Sequence, residues 1–92
     1  MKIESVEIYS DATNFAVMRH PGRKFPGSLI QGDSLSILVD RAREICEAVK
    51  GSGNAELIGV AEELKDALEA RLTDYENVLA KHKIELPYTK GT

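Results

Sequence analysis

Two stretches in which apolar residues recur at every third or fourth position, separated by Gly51-Ser-Gly-Asn54, constrain this chain more than any other feature. In the first, Leu35, Leu38, Val39, Ala42, Ile45, Cys46 and Val49 form one stripe. Asp33 or Ser34 can cap it and Gly51 supplies the stop. In the second, Asn54 is the cap, and Leu57, Ala61, Leu64, Leu68, Leu72, Tyr75 and Leu79 carry the stripe towards Pro87. The pattern predicts helices over residues 34–50 and 54–85. With a rise of about 1.5 Å per residue these extend about 25 Å and about 45 Å, so the excess of the second needs a partner. Either it breaks near Thr73, where Thr73-x-x-Glu76 has the form of a capping box, or its C-terminal half packs against another copy of the chain. No Gly or Pro marks a break, so the expectation is a continuous or mildly bent helix with a homodimer contact. The spacing is nearer 3.6 than 3.5, which disfavours an extended coiled coil. Residues 86–92 read as a mobile tail.

The N-terminal part has a different period. Ile3, Val6, Ile8 and Tyr9 stand among charges, Asn14-Phe-Ala-Val-Met-Arg19 is strand-like, and Ser10-Asp-Ala-Thr-Asn14 joins the two as a hairpin. Ile3 and Val6 fall on opposite faces of a regular strand, so a bulge or a strand start near Ser5 is needed to restore the phase. Ser28-Leu-Ile-Gln31 reads as a third strand. The fold expected is α+β in a single domain: a small, mainly antiparallel three-stranded sheet over residues 2–32, packed against two antiparallel helices, the second long.

Composition narrows the function classes. A chain of 92 residues with 42% hydrophobic and 29% charged residues can build one aliphatic core, and its lone Cys46 cannot form an internal disulfide. No apolar run is long enough to span a bilayer, and Met1-Lys-Ile-Glu-Ser-Val-Glu7 lacks the apolar stretch of a secretory signal, so a cytoplasmic protein off the membrane is expected. The net charge is −3, and residues 36–92 carry eleven acids against eight cations. Nucleic-acid binding, which draws on phosphate neutralisation, is therefore disfavoured.

The exception is Arg19-His-Pro-Gly-Arg-Lys-Phe-Pro-Gly-Ser-Leu-Ile-Gln-Gly-Asp-Ser-Leu35, which holds two of the three prolines and three of the seven glycines. Arg19, His20, Arg23 and Lys24 surround Phe25, and no acid occurs between Asp11 and Asp33. Arg and aromatic side chains dominate protein interfaces, and a proline-stiffened loop loses little entropy on association, so these five residues are the candidate partner-binding site. The plainer alternative buries Phe25 in the core and leaves the cations facing water. A secondary acidic surface, Glu62, Asp66, Glu69 and Glu76 on one helix face, reads as a solvated ridge or a docking surface for a basic partner.

Catalytic and metal signals are weak. Gly27-Ser-Leu-Ile-Gln-Gly32-Asp33-Ser34 has the glycine spacing of a phosphate-binding loop, but Asp33 stands where the lysine is required, so strand, turn and helix cap is the preferred reading. His20, Cys46 and His82 are too far apart to form a ligand cluster, Cys46 lies on the apolar stripe, and His82 suits a helix C-terminus. No catalytic residue, metal site or cofactor is assigned.

Over that Arg19–Leu35 block the chain resembles a group of small bacterial proteins known only as a domain of unknown function, the likeness covering roughly the first half and strongest from Asn14 to Leu38. The resemblance implies a small single-domain protein and extends to an immunity-type role, blocking a cognate toxin by binding it; it transfers no functional residue. The leading expectation is a non-enzymatic module that binds another protein. The alternatives are a small anion or phosphate binder, or minor enzyme, with its pocket between the loop and the second helix, and a nucleic-acid accessory protein.

Overall fold

The computed structural model describes residues 1–90 and divides into two compact units, one of residues 1–31 and one beginning at Gly32. The architecture is α+β: three antiparallel strands in the N-terminal part, then two helices of which the second is longer.

In the first unit β1 (Glu7–Ser10), β2 (Phe15–Arg19) and β3 (Gly27–Ile30) lie in the order β1-β2-β3. β2 is central because hairpin connections on either side bring its neighbours back alongside it. Glu7 faces Arg19 and Ile8 faces Met18, but Ser10 faces Val17, so Tyr9 is the extra residue of a bulge. The phase problem posed by Ile3 and Val6 falls away because β1 starts at Glu7, after both; the bulge at Tyr9 lies beyond them. The β2–β3 register pairs Phe15 with Ile30, Ala16 with Leu29, Val17 with Ser28 and Met18 with Gly27. Since side chains alternate along a strand and directly opposed residues share a face, Ile8, Ala16, Met18, Gly27 and Leu29 belong to one face.

The second unit is a helical hairpin of α1 (Gly32–Lys50) and α2 (Ala55–Lys81). The Asn54 side chain accepts the Leu57 N–H at 3.0 Å, as its cap role requires. α1 starts earlier than expected, at Gly32. Asp33 therefore lies in the first turn, its carboxylate accepting the Ser34 N–H at 2.9 Å and sitting at the positive end of the helix dipole. At Gly51 the chain leaves α1, the Ser52 N–H returning to the Val49 carbonyl at 3.0 Å, and Gly53 takes the left-handed φ of +68° that turns it towards Asn54. α2 runs without a break past Thr73 and ends in a Schellman arrangement, with the Lys83 N–H on the Ala80 carbonyl at 3.1 Å and the Ile84 N–H on the Leu79 carbonyl at 2.9 Å.

The core is aliphatic and narrow. Leu35, Val39, Ala42 and Cys46 of α1 and Ala61 and Leu72 of α2 are buried, Val39 completely. Leu38, Ile45, Leu57 and Leu64, expected on the buried stripes, are exposed, because the seam between two helices is narrower than the arc these residues cover. The two helices meet closely where Gly32 lies against the Tyr75 ring. That pairs the first residue of α1 with the twenty-first of α2, so α2 overhangs α1 beyond this point. Along the overhang the chain returns: the Tyr88 hydroxyl donates to Glu76 Oε2 at 2.9 Å and Lys90 Nζ stands 3.6 Å from Glu76 Oε1. The tail expected at residues 86–92 is thus tied to α2 through Tyr88 and Lys90; residues 91 and 92 lie outside the described ones.

Candidate functional site

The β2–β3 loop, residues 20–26, is built from its own short-range bonds. Pro21 fixes the second position of a four-residue turn closed by the Arg23 N–H on the His20 carbonyl at 2.9 Å. Within that turn His20 Nδ1 accepts the Gly22 N–H at 3.2 Å. Arg19 reaches across from the end of β2, donating from Nη1 to the Arg23 carbonyl at 3.0 Å. The loop therefore has few internal freedoms.

Its geometry departs from the plainer alternative at Phe25, while Arg23 and Lys24 face water as that alternative has it. Phe25 is 72% exposed rather than tucked into a core, and Lys24 Nζ lies 5.5 Å from its ring centroid, in cation–π range. Beneath it is an apolar groove of about 280 Å³, lined by Val6, Met18, His20, Arg23, Phe25, Gly27, Ser28 and Leu29. Sequence reasoning placed His20, Arg23 and Phe25 here but missed Met18, Gly27 and Leu29. The signal was available in the strand alternation, which puts those three on one face once the register is known. Leu29 of β3 is half exposed and forms a wall of the groove.

The candidate cations divide into two kinds. Arg19 is committed: its Nε pairs with Glu7 Oε1 across the β1–β2 register, and the hydrogen bond and charge of the guanidinium hold the Glu7 carboxyl below the usual carboxylate range while Glu7 raises Arg19. Arg23 and Lys24 are exposed and form no ion pair among the described residues. Of the three acids in this unit, Glu4 pairs with Lys2, Glu7 pairs with Arg19, and Asp11 belongs to the turn at the opposite end of the β1–β2 hairpin. The loop end of the sheet thus presents two uncompensated positive charges beside an aromatic ring and an apolar groove.

The acidic ridge is arranged differently. Glu62 and Asp66 are exposed, whereas Glu69 and Glu76 line a cleft of about 380 Å³ between α1, α2 and the returning segment. There Arg43 Nε lies 3.3 Å from Glu69 Oε1, and Glu76 holds Tyr88 and Lys90. Burial, and then the bond to Glu76, pushes the Tyr88 hydroxyl well above the ordinary tyrosine range. No periodicity pointed to Tyr88, since a tyrosine beyond Pro87 has no period to place it. Cys46 packs in the core and His82 stands at the C-cap of α2, its backbone N–H on the Val78 carbonyl at 3.1 Å. Among the described residues no cluster of three or more His, Cys, Asp or Glu side chains could hold a metal ion, and no helix is long and apolar enough to cross a membrane. Gln31 alone separates β3 from α1, so the Gly27–Ser34 segment is strand, connection and helix start, with no loop long enough to wrap a phosphate.

A family model described as a family of unknown function (DUF6959) matches residues 1–88, well beyond the Arg19–Leu35 block. No curated protein and no solved structure matches the chain.

Proposed function

The chain belongs to this family of unknown function, and we propose that it acts by binding another protein through the β2–β3 loop and the groove beneath it. The observation that carries this reading is Phe25, 72% exposed just beyond a turn closed by bonds among Arg19, His20 and Arg23, with Arg23 and Lys24 in no ion pair among the described residues. Leaving a large aromatic side chain in water forgoes about 1.5–3 kcal/mol of burial, and a stiff loop that does so favours recognition over packing. Arg19 serves the site indirectly. Pinned by Glu7 and bonded to the Arg23 backbone, it sets the position of the loop rather than meeting the partner. An anion-binding site would need donors converging on one point, whereas the groove walls are chiefly Val6, Met18, Phe25 and Leu29.

The reading is tested by selecting ligands from a random displayed peptide library on the immobilised full chain. Binding of the selected peptides is then measured to Arg23→Ala/Lys24→Ala and to Phe25→Ala. All three side chains are exposed and leave the backbone bonds of the loop in place, so the variants keep the fold. Losses of about tenfold or more in each variant are expected for interface anchors of this type. Selected peptides that bind wild type and both variants equally defeat the assignment.

A further inference from the structure

Resting on that reading, we infer that the groove receives one apolar side chain from an acidic segment of the partner, and that Gly27 is the residue that keeps its floor open. The first argument is size. At about 280 Å³ the groove is at the small end of ligand sites and has room for one aliphatic or aromatic side chain.

The second argument is the glycine. Gly27 sits opposite Met18 in the β2–β3 ladder, on the face that bears the groove, and a Cβ placed on it meets nothing within 4 Å. Its φ lies outside the left-handed region, so the backbone does not call for glycine there. Gly27 opens β3, and no crowding neighbour demands a glycine there. What the missing side chain leaves is space between Met18, Phe25 and Leu29.

Charge fixes the flanks of the occupant. An anchor side chain resting on Met18 and Leu29 brings its neighbouring residues beside Arg23, which lines the groove, and Lys24, which stands over the Phe25 ring. Both cations lack an internal counter-ion among the described residues, and the acids of this unit are either paired or at the far hairpin end. Carboxylates on either side of the anchor complement them; lysines there repel them.

The test uses the full chain, uniformly ¹⁵N-labelled, titrated with the capped pentapeptide Asp-Glu-Leu-Asp-Glu and followed by amide chemical shifts. Controls replace its leucine by alanine, or its four acids by lysine. The expected result is a saturable shift centred on Met18, Gly27 and Leu29, weakened roughly tenfold or more in each control peptide and in two protein variants, Gly27→Leu, which fills the floor, and Arg23→Ala/Lys24→Ala, which removes the flanking charge. Should Gly27→Leu fail to fold, the double alanine variant carries the comparison. Equal binding of the lysine peptide, shifts confined to the helices, unchanged binding by the variants, or tighter binding of oligothymidylate at the groove each overturns the inference. Library-selected peptides that need Arg23 and Lys24 but bind Gly27→Leu undiminished overturn it while leaving the broader reading intact. If no loop-dependent peptide is found at all, both fall.

Discussion

Replacing Gly32 by alanine sets two well-characterised effects against each other. Alanine is the better helix former by up to about 1 kcal/mol, and losing a glycine narrows the unfolded ensemble, so a solvent-exposed helix start would be stabilised by the change. Gly32 is buried, however, and a Cβ there would lie 2.1 Å from Tyr75 Cζ and 2.2 Å from both Cε2 and the hydroxyl oxygen. Carbon atoms rest about 3.5–4.0 Å apart, so the ring must retreat by more than about 1 Å or α1 must move off α2. An approach this close places the cost in the upper part of the range of about 1–3 kcal/mol typical of overpacking, about 2–3 kcal/mol, which after a gain of about 1 kcal/mol leaves a net loss of about 1–2 kcal/mol. For a chain of this size that lowers the midpoint of thermal unfolding by about 4–16 °C. Thermal and urea unfolding followed by circular dichroism reads the loss, and a double-mutant cycle assigns it. Tyr75→Phe keeps Cζ and Cε2 and gives no relief, whereas in a Tyr75→Ala background Gly32→Ala becomes neutral or stabilising. A Gly32→Ala chain that melts at or above wild type, or a cost that persists without the ring, refutes the close approach as the reason for glycine.

Lys83 occupies the left-handed region at φ 58° just past the α2 C-cap, where glycine carries no Cβ strain, so Lys83→Gly should gain about 0.5–1 kcal/mol in the same melts; no gain speaks against the Schellman geometry. Asn54→Ala removes the acceptor for the Leu57 N–H and should cost about 1 kcal/mol, while Asn54→Asp should cost little; equal losses in the two would count against side-chain capping. Glu7 titrates below the ordinary value because Arg19 stabilises its charged form, so its contribution is present above its unfolded-state pKa of about 4.3 and is lost as pH falls through the lower folded value. Side-chain carboxyl NMR should place the Glu7 midpoint below that of a free glutamate, with Arg19→Ala or high salt returning it towards the ordinary value; an ordinary midpoint in wild type removes Arg19 as the anchor of the loop.

What the sequence made legible followed from short-range physics. Helical period, the Asn54 cap and the Gly51 stop are decided by neighbours within one or two turns, and two helices form on those stripes, although α1 starts at Gly32 rather than 34 and α2 ends at Lys81 rather than 85. The strands were legible as elements but not in their pairing details, since the bulge at Tyr9 decides that Glu7, rather than a neighbour, opposes Arg19. That register in turn decided which cations of the candidate site are occupied. Arg19, Arg23 and Lys24 look alike along the chain, and a pairing twelve residues distant separates the first from the others. The same limit hid Gly32 against Tyr75 and Tyr88 against Glu76, contacts made by side-chain reach across elements rather than by any period. Leu38, Ile45, Leu57 and Leu64 failed for another reason: a stripe shows which residues favour burial, not how wide a surface the neighbouring element covers.

The distribution of charge partners bears on where recognition can occur. In the helical unit the inner acids of the ridge are already engaged, Glu69 by Arg43 and Glu76 by Tyr88 and Lys90, so a basic partner arriving there would have to displace bonds the chain makes to itself. The Arg43–Glu69 pair is largely solvated and weak, about 0–1 kcal/mol, but the Tyr88–Glu76 bond is part-buried, and a partner must first offset what it breaks there. At the β2–β3 loop the exchange is absent. Among the described residues Arg23 and Lys24 make no ion pair that an incoming carboxylate would have to displace, and the Phe25 ring already partly orders Lys24. Two charge clusters of similar appearance in the sequence are therefore unequal as binding surfaces, and the inequality comes from what each has already been used for in the fold.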